Sequence, residues 1–162
     1  SSDLGMKIEI KQGHEMQKGV RELFVEYGKM LSRSMDMIKY SAEVEALPGQ
    51  YAPPDGILLV AECDGVPAGM IGVRRMSDKD CELKRMYMDP KCRGEGAGAS
   101  LVRSAMKAAR KMGYENMYVD NVGWLTAAIR MYRKLGFEEI EPYYENEDKD
   151  VVYFRRSLAD MD

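Results

Sequence analysis

MDPKCRGEGAGASLV, running from Met88 to Val102, places three glycines, Gly94, Gly96 and Gly98, within five residues, with Arg93 before them and a helix-forming run behind. Glycine in front of a helix costs conformational entropy, up to about 1 kcal/mol per residue against alanine. The exposed first turn of a helix offers unpaired N–H groups and a partial positive charge. A backbone without Cβ atoms wraps an anion closely there, and Arg93 adds a full charge, so the block suits a phosphate or pyrophosphate. A strand-to-helix turn that needs positive φ would use the same residues. A P-loop is excluded, because the run ends Gly-Ala-Ser rather than Gly-Lys-Ser/Thr. A dinucleotide fingerprint belongs at the start of a repeated βαβ fold, and this block comes late in the chain.

Working outward, CELKRMYM (Cys81 to Met88) reads as the strand that enters the block. Leu101, Val102, Ala105, Ala109 and Met112 give the following helix one apolar face, and Gly113 stops it. NMYVDN (Asn116 to Asn121) is the next strand. Strand, helix and strand form a right-handed crossover between parallel neighbours. Upstream, ILLVAECDGVPAGMIGVRRM carries Asp64-Gly65 between apolar runs, a hairpin signal. With Cys81–Met88 it predicts a three-stranded antiparallel meander. MKIEI (Met6 to Ile10) alternates as a first strand. Helical spacing follows from His14 to Leu31 and, more weakly, from Met37 to Leu47, before the loop PGQYAPPDG. Downstream, Trp124, Ala128, Met131 and Leu135 mark a last helix ending at Gly136. FEEIEPY and DVVYFRRSL close the chain as a strand pair. The fold class is a mixed α/β sheet: an antiparallel meander, one β-α-β crossover and a C-terminal strand pair. Residues 6–159 are expected to form one domain. Ser1 to Gly5 read as a cloning remnant or loose tail.

The chain has 162 residues, 45% apolar and 31% charged, enough for one core. A net charge of −3 does not favour a nucleic-acid partner, although a local basic patch remains open. No apolar run reaches membrane-spanning length. Cys63, Cys81 and Cys92 are odd in number and not closely paired, which predicts reduced thiols and a cytoplasmic protein. His14 is the only histidine, and no Cys-x-x-Cys occurs, so no metal is expected.

CELKRMYMDPKCRGEGAGASLV, KMGYENMYVDN and AAIRMYRKLGFEEIEPYYEN together resemble the GNAT superfamily of acyl-CoA-dependent N-acyltransferases. The order of elements is similar along nearly the whole chain. The resemblance implies the GNAT fold and acetyl-CoA as cosubstrate. Its pyrophosphate would lie against Arg93, Gly94, Glu95, Gly96, Ala97, Gly98, Ala99 and Ser100. Met86, Tyr87 and Met88 would pair their backbone with the pantetheine arm. The Met88 N–H would polarise the thioester carbonyl. Asn121 would bond the cofactor arm or the acceptor, or act as a cap or turn residue. Where many members place a polar residue seven before the tyrosine of the last helix, this chain has Leu125. Asn121 or Thr126 would supply the missing hydrogen bond.

The implied reaction needs a base for the ammonium, a donor for the oxyanion and an acid near sulfur. The resemblance assigns the acid to Tyr132, whose phenol titrates near pH 10. It assigns the base, through water, to Glu82. Strand parity puts Glu82 on one side with Lys84, Met86 and Met88. An ion pair with Lys84, Arg74 or Arg85 is the alternative role for Glu82. Arg74 and Lys84 would anchor a carboxylate on the acceptor, or belong to a solvated sheet face. Tyr51, Tyr143 and Tyr144 lie in loops that border the acceptor cleft, or are packing residues. Cys92 lacks a histidine to activate it and is no acyl-enzyme nucleophile. The function implied is an N-acetyltransferase acting by direct attack in a ternary complex. Its acceptor is a small-molecule amine or amino acid derivative, or a peptide N-terminus or lysine, and the enzyme is a monomer or homodimer. A non-catalytic acyl-CoA-binding module on the same fold is the alternative, and a nucleotide-binding domain a third.

Overall fold

The structure, a computed structural model, describes residues 7–92 and 96–161. The tail Ser1–Gly5, the proposed first strand residue Met6, and Arg93, Gly94 and Glu95 of the glycine block lie outside the described residues.

Seven strands form one sheet in the order β1-β2-β3-β4-β5-β7-β6. They are β1 (Ile8–Gln12), β2 (Ile57–Cys63), β3 (Val66–Arg75), β4 (Asp80–Met88), β5 (Asn116–Val122), β6 (Glu138–Ile140) and β7 (Val151–Ser157). Four helices join them: α1 (Val20–Leu31), α2 (Met37–Glu45), α3 (Ala97–Lys111) and α4 (Thr126–Lys134). The element order is the one expected from sequence. The meander is longer by one strand, because β1 adds antiparallel to β2. Asp64-Gly65 forms the β2–β3 turn with both residues at positive φ, the geometry that matches a tight hairpin to strand twist. Asp36 caps α2 by accepting from the N–H groups of Ile38 and Lys39.

Each sheet face has its own core. Leu101, Val102, Ala105, Met106 and Ala109 of α3, with Tyr132 of α4, pack on Leu59, Ile71, Val73, Leu83 and Met117. Val20, Leu23 and Phe24 of α1, with Tyr40 of α2, pack on Leu58, Val60, Met70 and Tyr87 on the opposite face. Tyr51, expected at the acceptor cleft, is fully buried in this second core. A 3-10 turn over Gly49–Tyr51 folds the ring inward, so its role is packing. Trp124 lies before α4 rather than on its apolar face, and is exposed.

Two irregularities shape the middle of the sheet. The parallel ladder between β4 and β5 has only three pairs, from Asp80 with Asn116 to Glu82 with Tyr118. The second is a β-bulge in β4. Lys84 pairs with Gly72 and Tyr87 with Met70, leaving Arg85 and Met86 opposite Ile71. Arg85 sits at φ 61, a conformation uncommon outside glycine. The bulge overturns the parity expected for this strand. Glu82 and Lys84 share the α1–α2 face with Arg85 and Tyr87, whereas Met86 and Met88 face α3. Among the described residues, no helix is long and apolar enough to cross a membrane.

Candidate active site

Where the β4–β5 ladder stops, the strands bound a cleft of about 1210 Å³. Its walls are Leu83–Met86 of β4 and Val119–Val122 of β5. The segment from Leu31 to Asp36, α2 and the β6–β7 segment close the α1–α2 side, and Ala128 and Tyr132 of α4 stand at the back. The helix that follows β4 begins at the same junction. Gly96 is the α3 N-cap at φ 72, with no side-chain cap bond. Among the described residues a Cβ built on Gly96 meets nothing within 4 Å, whereas one on Gly98 would stand 2.8 Å from Met86 Cε and 3.5 Å from Met131 Sδ. The two glycines therefore serve different ends. Gly98 lets the first turn of α3 lie against protein, and Gly96 keeps the approach to that turn open. Ser100 N–H donates to the Gly96 carbonyl at 3.0 Å. The N–H groups of Ala97, Gly98 and Ala99 precede this first bond and find no acceptor inside the helix. An anionic group suits this end of α3, and the positive φ of Gly96 equally fits the strand-to-helix turn.

Tyr132 is 1% exposed, its ring edge-on to Phe137 and tilted against Phe154. Its hydroxyl reaches the cleft and has no hydrogen-bond partner among the described residues. Burial, then the charges of Tyr27 and Asp120, raise this phenol above its ordinary value, so it stays protonated. Glu82 is also 1% exposed. Its Oε1 accepts from Arg74 Nε at 2.7 Å and lies 2.6 Å from Arg74 Nη2, with Lys84 Nζ at 3.9 Å. Its Oε2 accepts from the Tyr143 hydroxyl at 2.6 Å. The ion-pair alternative for Glu82 is thus what the side chain does here, and Arg74 is committed to it. The Tyr143 ring packs on Tyr118, Tyr144 and Tyr153. Tyr144, Lys84 and Asn121 line the cleft, and Asn121 Nδ2 donates to the Val122 carbonyl at 3.0 Å.

Sequence reasoning missed a brace behind the bulge. Arg85 Nε and Nη2 donate to Glu43 Oε2 and Oε1 at 2.9 and 2.8 Å, and its guanidinium covers the rings of Tyr40 and Tyr27 at 5.0 and 5.7 Å. Tyr51 donates to the same Glu43 at 2.9 Å. The positive φ of Arg85 is what turns this cation toward α2. Asp120 was missed too. It lines the cleft on β5 and accepts from the Tyr144 hydroxyl. Strand alternation was its signal, since Met117 and Val119 point into the α3 core and Tyr118 and Asp120 therefore face the other way. Cys92 and Cys81 are buried thiols, pushed up to about 11 and about 12, chiefly by burial.

A short parallel ladder that opens into a cleft, a glycine-led helix at the junction and a tyrosine behind the gap are the features that the resemblance to acyl-CoA-dependent N-acyltransferases implies. A profile of the Acetyltransferase (GNAT) family matches residues 21–137, and the chain belongs to that family. It is similar to an uncharacterised N-acetyltransferase of Schizosaccharomyces pombe, 38% identical over 112 residues, covering 68% of this chain and 69% of that one. Two solved structures share its fold. An acetyltransferase from Streptococcus agalactiae has a TM-score of 0.77 at 20% identity, covering 93% of this chain and 98% of that one. The PaiA N-acetyltransferase from Thermoplasma acidophilum, solved in complex with coenzyme A, has a TM-score of 0.72 at 18% identity, covering 94% and 99%.

Proposed function

We propose that this protein transfers an acetyl group from acetyl-CoA to a primary amine, both substrates being held in the cleft at once. The observation that carries the reading is the three-pair ladder between β4 and β5, which leaves a gap with the Tyr132 hydroxyl behind it and the α3 N-terminus beside it. The coenzyme A complex of the Thermoplasma relative supports acetyl-CoA as the donor. Residues from Gly96 to Ser100, with Arg93, Gly94 and Glu95, would hold its pyrophosphate, and the β4 backbone at Met86–Met88 its amide-rich arm. Acetyl-CoA supplies an activated acyl thioester. Tyr132 supplies the proton that the departing thiol needs, and its raised phenol value keeps that proton in place at neutral pH. A hydroxyl so placed argues against a module that only binds acyl-CoA.

The acceptor enters from the α1–α2 face, where the cleft is lined by Lys84, Tyr144 and Asp120. With Arg74 bound to Glu82, Lys84, 3.9 Å from the same carboxylate, is the cation left to anchor a carboxylate on the acceptor. This favours an amino acid derivative, or a short peptide, over a simple amine. Buried thiols without a disulfide suit a cytoplasmic setting. The test is thiol release from acetyl-CoA across a panel of amines, amino acids and peptides, with CoA binding followed by thermal shift. Coenzyme A should raise the melting temperature, and carboxylate-bearing amines should lead the panel. A protein that coenzyme A leaves unshifted, or that releases no thiol with any amine, is not this enzyme.

A further inference from the structure

We infer that Asp120, rather than Glu82, is the carboxylate that receives the acceptor's ammonium group and takes its proton; the inference rests on the acetyl transfer proposed above. Glu82 is poorly suited to that task. Both its oxygens are committed, one to the Arg74 guanidinium and one to the Tyr143 hydroxyl, and it is 1% exposed at the closed end of the gap.

Asp120 stands where the chemistry must occur. Counting on from the last rung, Glu82 with Tyr118, it lies two residues into the open part of the gap, level with Lys84. It lines the same cleft as Tyr132, half-buried. The one hydrogen bond to its carboxylate among the described residues comes from the Tyr144 hydroxyl to Oδ2, which leaves Oδ1 for a ligand. The groups around it on the packed elements are mostly neutral phenols: Tyr27 of α1, Tyr132 of α4, and Tyr143 and Tyr144 of the β6–β7 segment. Of the nearby cations, Arg85 is committed to Glu43, and Lys84 leans toward Glu82. Asp120 is therefore a carboxylate in a phenol-walled site without a guanidinium partner, a setting that attracts an alkylammonium ion.

The proton accounting closes. The ammonium gives one proton to Asp120, which passes it to solvent. The nitrogen lone pair forms the C–N bond at the thioester carbonyl carbon, and the C–S bond breaks with its electron pair on sulfur. Sulfur takes the Tyr132 proton, and the second nitrogen proton restores the phenol. The products are the amide, the thiol and one released proton.

Two coenzyme A thioethers test the assignment without knowledge of the natural acceptor. S-(2-aminoethyl)-CoA carries an ammonium beside sulfur, and S-propyl-CoA carries a methyl in its place. Their affinities are measured by calorimetry on wild type, Asp120→Asn and Glu82→Gln. Wild type should prefer the ammonium by about tenfold or more, as a charge-assisted hydrogen bond predicts. Asp120→Asn should lose that preference while keeping its affinity for the propyl analogue, and Glu82→Gln should retain it. Should Glu82→Gln fail to fold, Asp120→Glu serves as the second variant and should restore part of the preference lost in Asp120→Asn. Absence of preference in wild type, or its survival in Asp120→Asn, overturns the assignment. If neither analogue binds wild type, the acetyl-transfer reading itself falls, and the assignment with it.

Discussion

Replacing Arg85 by methionine probes the link between the β4 bulge and α2. Methionine keeps an unbranched stem, so the change removes the cation with little loss of packing. Removing one partner of a buried pair costs about 3–5 kcal/mol. Arg85 and Glu43 side chains retain 16% and 18% exposure, so a modest discount for solvent screening gives about 2–4 kcal/mol. For a chain of 162 residues, each kcal/mol moves the melting temperature by about 2–4 °C. The variant should thus melt about 4–16 °C lower at neutral pH. The pH dependence adds a sign. In wild type, burial opposes the Glu43 charge, but the Arg85 hydrogen bonds and charge outweigh it and hold the carboxyl below its ordinary value of 4.5. A depressed folded value contributes stability above the unfolded value and loses it as pH falls. Without Arg85 the Tyr51 hydrogen bond and the Lys84 charge still work against burial, but the two largest lowering causes are gone, so the folded value moves up and the variant gains less stability than wild type as pH climbs. Melting curves followed by circular dichroism between about pH 4 and about pH 7 should show the gap between the two proteins widening with pH. A constant or narrowing gap, or a difference below about 2 °C at pH 7, refutes the reasoning.

Tyr132→Phe should lower kcat by about tenfold or more with little change in the acetyl-CoA KM; because the hydroxyl has no protein partner among the described residues, its melting temperature should move by no more than about 2 °C. Gly96→Val forces a β-branched residue to φ 72 and fills the open approach to α3. It should cost about 1–2 kcal/mol of stability and weaken coenzyme A binding in calorimetry; unchanged affinity would remove the anion cradle from that turn. Trp124, the sole tryptophan, is exposed, and its Nε1 donates at 3.4 Å to Oγ of Ser34, a residue that lines the cleft. Filling the cleft should therefore change intrinsic fluorescence, and an unaltered spectrum at saturating coenzyme A would place binding elsewhere.

The sequence disclosed most of the fold because its boundaries are marked chemically. Asp64-Gly65, Gly113 and Gly136 punctuate it, and all three glycines take positive φ. The bulge was illegible because a period of two has no room for an extra residue, and arginine gives no signal of a left-handed conformation. That one residue moved Met86 and Met88 to the face opposite Glu82. The Arg85–Glu43 pair spans 42 residues, beyond any local pattern. Tyr51 misled for a different reason: its polar, proline-rich flanks describe the loop and not the ring, which a single 3-10 turn buries. Tyr132 was legible through resemblance, since helical spacing alone would have made it another core aromatic. Asp120 was passed over because NMYVDN was named as a strand without its residues being assigned to faces.

The seam between β4 and β5 divides the sheet into two leaves, β1 to β4 on one side and β5, β7 and β6 on the other, stitched by three residue pairs. A ladder this brief makes the join a thin seam through the middle of the sheet. A donor laid along it would act as mortar, adding the rungs that the polypeptide omits. Amide protons of β4 near Met86–Met88 should then exchange more slowly once coenzyme A is bound, while those deep in β2 and β3 stay as they were. By this account the enzyme completes its own sheet only when charged with a substrate.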